Sequence, residues 1–261
     1  ILADPRLSNL KNGVNSEAEL RQLVKINAER GVGVIKTRGT ERAGLPETDP
    51  RQQTYTKEQL GYVVDEAAKY NLKVMVHAHG DEGGMAAVEA GAASIDHGTF
   101  LSKETLELMK AKGTYWVPTI ITIEDLKIPG GEYSNPVLEL RGKFMMAEVE
   151  ATFRDALALG VKIATGADND YSAESTTRIS LEAEHFVRLG MSNFDALQAA
   201  TKNGAELLGL SQETGTITIG KDADMILLPN NPLEDIMALQ DVLMVISNGQ
   251  LALKRIPFST N

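Results

Sequence analysis

Five short apolar runs, each separated from the next by a helical pattern, constrain this chain more than any other feature of its sequence. They lie at 32–36, 72–77, 93–96, 114–119 and 161–165. The helices between them announce their own starts. Ser16-Glu17-Ala18-Glu19 has capping-box spelling, Gly31 closes the helix that follows, and Thr56 caps a helix running to Tyr70. Shorter helices are expected over 85–90 and 102–112, a long one over 137–159, and two more over 175–190 and 192–209. The stretches at 39–53 and around Pro129-Gly130-Gly131 read as loops. Short β-branched runs alternating with helices mean parallel strands covered by helices. A doubly wound sheet and a (β/α) barrel both fit. No G-x-G-x-x-G or G-x-x-x-x-G-K follows a strand, which weakens the nucleotide-binding version.

The rhythm breaks near residue 213. Gly215-Thr216-Ile217-Thr218-Ile219-Gly220, then 223–228, then 242–246 and the turn Asn248-Gly249 before 250–253 read as strands and turns. This β-rich module is too small to stand as a sandwich, so it is expected to complete a sheet begun elsewhere.

Composition removes several function classes. No run approaches the roughly 18 apolar residues of a membrane span. The 26 Lys and Arg stand against 36 Asp and Glu, a net charge of −10 with no basic run, which disfavours nucleic acid and anionic lipid as partners. With no cysteine, disulfides, thiolate metal sites and cysteine nucleophiles are excluded. The chain opens on Ile1, and Ile1-Leu2-Ala3-Asp4-Pro5 has neither signal- nor transit-peptide character; this motivates the expectation of a longer parent chain. The compartment stays open, with the cytoplasm favoured.

Chemistry gathers where strands end. Lys36 closes the first run, His77 the second, His97 follows the third, and Asp168 follows the fifth. Carboxyl ends of parallel strands converge on one face, where active sites are built. Two imidazoles, a carboxylate and a lysine make a metal-site inventory without sulfur. A lone strand histidine is more often a packed core residue. On spacing alone both readings stand.

The wording around these residues resembles the amidohydrolase superfamily. Val74-Met75-Val76-His77-Ala78-His79-Gly80, Ser94-Ile95-Asp96-His97-Gly98-Thr99, Val117-Pro118-Thr119 and Ala164-Thr165-Gly166-Ala167-Asp168 carry the likeness. So do 199–209 and Gly220-Lys221-Asp222-Ala223-Asp224 in the tail. The branch it looks most like holds imidazolonepropionase-related enzymes and metal-dependent Xaa-Pro dipeptidases. The resemblance implies a (β/α)₈ metal-dependent hydrolase barrel, here strands four to eight, plus the C-terminal part of a small β-sandwich domain. Residues 1–213 would be the partial barrel and 214–261 the sandwich strands. It further implies a divalent metal, with zinc favoured and one or two ions in the complete protein. Lys36 would be a ligand as its CO₂ adduct, since a bare ammonium has no lone pair. His77 and His97 would be ligands, and Asp168 both a ligand and the proton acceptor for the attacking water. The metal would lower the pKa of water and polarise the scissile carbonyl.

The family's first-strand His-x-His pair is absent before Lys36. The expectation is therefore a metal-dependent hydrolase of C–N bonds in an amide, cyclic amide or Xaa-Pro dipeptide, completed by a missing N-terminal segment or by other copies of itself. Homo-oligomers are expected. Two rivals are a truncated, metal-poor relative acting as a binding or assembly partner, and a lyase using Lys36 as a Schiff-base amine. His79 and Arg38, with Arg42 near it, are candidate substrate-binding residues. His185 reads as a solvated or packed helix residue, Trp116 and Tyr115 as packing residues, Glu124-Asp125 as solvated charge, and Asp168-Asn169-Asp170 as an incomplete calcium-loop spelling.

Overall fold

The computed structural model describes residues 14–131, 133–168 and 178–255. The chain forms two compact units that divide after Ile163, so the expected 213/214 boundary falls inside the second.

In the first unit, α1 (Glu17–Glu29) begins at the reciprocal capping box of Ser16 and Glu19, and β1 (Val34–Arg38) follows. A second capping box, Thr56 with Gln59, starts α2 (Lys57–Ala68), which leads to β2 (Lys73–Ala78). Next come α3 (Asp81–Ala90), β3 (Ser94–His97), α4 (Lys103–Lys112) and β4 (Tyr115–Val117). Then α5 (Ile120–Lys127) and α6 (Pro136–Leu159) close the unit. The strands form a parallel sheet in the order β1-β2-β3-β4. This is the α/β architecture expected from the alternation. Arg38, His77 and Asp96 lie side by side in register. Because side chains alternate along strands, Lys36, Arg38, His77, Ser94 and Asp96 share one face. The opposite face carries Ile35, Val74, Val76, Ile95 and Trp116, all buried, and α2 and α3 pack on β2. Each such side chain contributes about 1.5–3 kcal/mol of burial.

The second unit holds α7 (Arg178–Arg188), α8 (Asn193–Ala199) and α9 (Lys202–Leu208). An antiparallel sheet of β5 (Met225–Leu227), β6 (Met244–Ser247) and β7 (Gln250–Lys254) follows, with a 3₁₀ turn at Ile236–Gln240. Asn248 and Gly249 both adopt left-handed φ, as a tight hairpin turn needs.

Several sequence expectations need correction. The fifth run contributes only one parallel bridge, Trp116 to Ile163, rather than a strand. The 215–220 stretch is not a strand: its alternating Ile217 and Ile219 are 87% and 104% exposed, and it pairs with no strand among the described residues. Alternation without a ladder partner leaves backbone groups to water. Lys36 sits in the middle of β1, not at its end. The 192–209 helix is two helices, and α5 lies between the 114–119 run and the Pro129-Gly130-Gly131 loop, where no helix is expected. Of the 175–190 helix, residues 175–177 lie outside the described residues, as do Asn169 and Asp170. Among the described residues, no helix is long and apolar enough to cross a membrane.

Candidate metal centre

The ends of β2 and β3 bring three imidazoles together. His77 is the penultimate residue of β2 and His79 stands one residue beyond it, on the same face by alternation. The His77 ring lies edge-on to His79 at 5.0 Å and to His97 at 4.5 Å, while His79 and His97 stack at 4.6 Å. Ring nitrogens of all three lie within 4.8 Å of one another.

Strict alternation after Asp96 would send His97 to the helix-covered face. Its backbone instead takes a left-handed φ of 77°, which turns the ring toward His77. Gly98 continues at φ 56°, and a Cβ there would fall 2.3 Å from Nε1 of Trp116. That indole N–H donates to the His97 carbonyl at 2.9 Å. The buried Trp116, expected as core filler, therefore also holds the histidine's backbone.

Hydrogen bonds assign protons to two of the rings. Nε2–H of His77 donates to the Glu41 carbonyl at 3.0 Å, which places the lone pair on Nδ1. The Thr119 hydroxyl donates to the Pro118 carbonyl, so it accepts from Nδ1–H of His97 at 2.6 Å, which places the lone pair on Nε2. Nδ1 of His79 bonds the Thr99 hydroxyl at 2.8 Å. Burial above all pushes His77 down to about 4; the Lys36 and Arg38 charges add to this and the Glu41 carbonyl opposes it. Burial, then the neighbouring His77, holds His79 and His97 well below the ordinary imidazole range. All three rings are thus neutral at pH 7, the form that ligates a metal. Their nitrogen donors, spacing and protonation fit a divalent ion.

The other expected site residues are placed as follows. Nζ of Lys36 forms an ion pair with Asp96, and the opposite carboxylate oxygen of Asp96 accepts from Ser94 at 2.8 Å. Arg38 lies beside His77 in register; burial and the like charge of Arg42 act against its own charge. Asp168 belongs to the second unit and has a left-handed φ of 42°. His185 is buried and its Nδ1 accepts from Arg188, as a packing residue would. Sequence reasoning did not find the supporting groups: Asp96, Thr99, Thr119 and the Glu41 carbonyl. The two threonines were visible as small hydroxyls at strand ends, whereas a backbone carbonyl leaves no signature in residue type.

Comparison with known proteins places the chain in a family. The amidohydrolase family matches residues 5–252. An ochratoxinase of Aspergillus niger is 34% identical over 226 residues, which are 85% of this chain and 46% of the relative. An imidazolonepropionase of Thermoanaerobacter pseudethanolicus is 30% identical over 186 residues, 69% of this chain and 40% of the relative. Among solved structures, a Xaa-Pro dipeptidase with methionine bound in its active site superposes with a TM-score of 0.84 at 35% identity. That match covers 92% of this chain and 59% of the dipeptidase. The chain spans about half the length of the relatives it matches. It belongs to the amidohydrolase family.

Proposed function

We propose that this chain carries the metal centre of a hydrolase that cleaves a C–N bond in an amide, a cyclic amide or a dipeptide such as Xaa-Pro. The observation that carries the reading is the set of three neutral imidazoles, His79 and His97 buried and His77 half-buried, with ring nitrogens within 4.8 Å at the ends of two adjacent parallel strands. Similarity to an ochratoxinase and to a Xaa-Pro dipeptidase supports the bond class.

In this proposal His77, through Nδ1, and His97, through Nε2, hold a divalent ion, zinc by preference for nitrogen and oxygen donors. His79 is the third nitrogen within reach, and its position draws it from the substrate role toward the ligand set. The ion supplies Lewis acidity toward water and toward the scissile carbonyl. Lys36 would join as a ligand only as a CO₂ adduct: the ammonium gives up one proton, the freed amine nitrogen bonds the carbon of CO₂, and a second proton leaves that nitrogen, so that a cation becomes an anionic oxygen donor and two protons pass to solvent. Asp96, now its ion-pair partner, would then face a like charge and has to turn toward its Ser94 contact. Asp168 accepts the proton of the attacking water. Arg38, on the same sheet face as His77, orients an anionic substrate group. The proposal extends to self-association and to a small-molecule or dipeptide substrate.

The test is a hydrolysis panel of Xaa-Pro dipeptides, N-acyl amino acids and cyclic amides, run after chelation and again after zinc is restored. Release of amine that disappears on chelation and returns with zinc supports the reading. Turnover indifferent to chelation contradicts it. Borohydride trapping of Lys36 with a carbonyl compound would instead favour lyase chemistry.

A further inference from the structure

The 39–53 segment is a strap with two anchors. At its stem, Thr40 bridges to Gln53, and Thr54 N–H donates to the Gly39 carbonyl at 2.8 Å. The same stem is bound to the histidines. Gly39 N–H donates to the His77 carbonyl at 2.7 Å, and His79 N–H donates to the Thr40 hydroxyl at 2.9 Å. The Glu41 carbonyl accepts from Nε2–H of His77. At its tip, the strap meets Arg141 on α6. One guanidinium nitrogen donates to the carbonyls of Ala43 at 2.5 Å and Leu45 at 2.7 Å. The other donates to those of Pro46 at 3.2 Å and Thr48 at 2.6 Å.

Four carbonyls converging on one guanidinium is an unusual use of an arginine. Carbonyl dipoles that would otherwise repel are held together by the charge, and the planar fork fixes their directions. The family resemblance did not single out this residue, and the proposed chemistry does not use it. We infer that Arg141 is a positioning residue for His77: by clamping the strap tip it holds the Glu41 carbonyl in place, and that carbonyl sets the tautomer and ring angle of the histidine. The chain of contacts is continuous and lies within one compact unit. The partner of a ligating histidine's second nitrogen typically changes metal affinity by about 10–100-fold when removed. Arg141 acts one step further out, through backbone rather than through a side chain.

The inference rests on the three-histidine site as a metal centre, so its test has one readout that needs no metal. In full-length, metal-free protein with ¹⁵N-labelled histidine, the His77 ring is expected to show a protonated Nε2 and an unprotonated Nδ1. In Arg141→Met, and more mildly in Arg141→Lys, whose compact ammonium cannot hold four carbonyls, the ring should become a mixture of tautomers. Zinc affinity, read by competition with a chromogenic chelator, should fall by about 10-fold or more in the same folded variants. A wild-type His77 protonated on Nδ1 would overturn the inference even if neither variant folds. So would a folded variant with lower thermal stability but unchanged His77 shifts, since that is the pattern of a purely structural arginine. If tautomers shift while zinc binds nowhere, the strap argument holds and the metal reading fails.

Discussion

The indole Nε1–H of Trp116 donates to the main-chain carbonyl of His97 from a ring that is itself fully buried. One side chain therefore fills the helix-covered core and fixes the left-handed turn that brings His97 to His77. Trp116→Phe keeps much of the volume and removes the donor. The His97 carbonyl left without it costs about 1–3 kcal/mol, and the ring at its end loses its fixed position. Both the thermal midpoint and zinc affinity should fall; a lowered midpoint with unaltered zinc affinity would separate the core role from the site role.

Gly98 should tolerate no side chain. Gly98→Ala combines a Cβ placed 2.3 Å from Nε1 of Trp116 with a left-handed φ. The indole would have to move and give up the His97 carbonyl. Denaturant unfolding should show a loss larger than the roughly 1 kcal/mol typical of an ordinary point substitution. An equally stable Gly98→Ala protein would show that the close contact is not required.

The hydroxyl on His97 should matter more than the carbon skeleton that carries it. Thr119→Ser retains the acceptor for Nδ1–H, while Thr119→Val removes it. Valine should weaken zinc binding by about 10–100-fold and serine by far less. Equal affinities for the two variants would remove Thr119 from the site.

The pH dependence follows from buried neutral histidines. His77 is lowered to about 4 by burial, with His79 and His97 also well below their ordinary value. In the unfolded chain these rings take up protons near pH 6.5. Between about pH 6.5 and 4 the unfolded state therefore binds more protons than the folded one, and stability falls as pH falls. Metal-free protein should lose stability through that window, and the loss should shrink in His97→Gln. Urea midpoints that are flat from pH 7 to 4.5 would contradict the burial of neutral rings.

What the sequence made legible was the part governed by local rules. Capping boxes at Ser16 and Thr56 start helices where expected, and β2 and β3 carry His77 and His97 to neighbouring strand ends. What it did not make legible depends on tertiary partners. The Thr216–Ile219 alternation looks like a strand and has no strand beside it among the described residues. His79 reads as a substrate residue because its contacts with His77 and His97 arise only when β2 and β3 pair and the His97 backbone turns left-handed. Arg141 is 100 residues from Glu41 in the chain, and its role runs through carbonyls that any residue would supply.

Asp168→Asn addresses the proposed proton acceptor. The substitution should leave the fold intact and reduce hydrolysis by about 10²–10⁴, the range for losing a general base. Near-normal turnover would require another base.

The central claim is that His77, His79 and His97 form a metal centre, and X-ray absorption at the zinc edge of protein reconstituted from the metal-free state tests it most directly. The account predicts a bound ion with outer-shell scattering from at least two imidazoles, reduced in His77→Ala and in His97→Ala. Protein that takes up no zinc, or zinc with an oxygen-only shell that neither substitution alters, would contradict it.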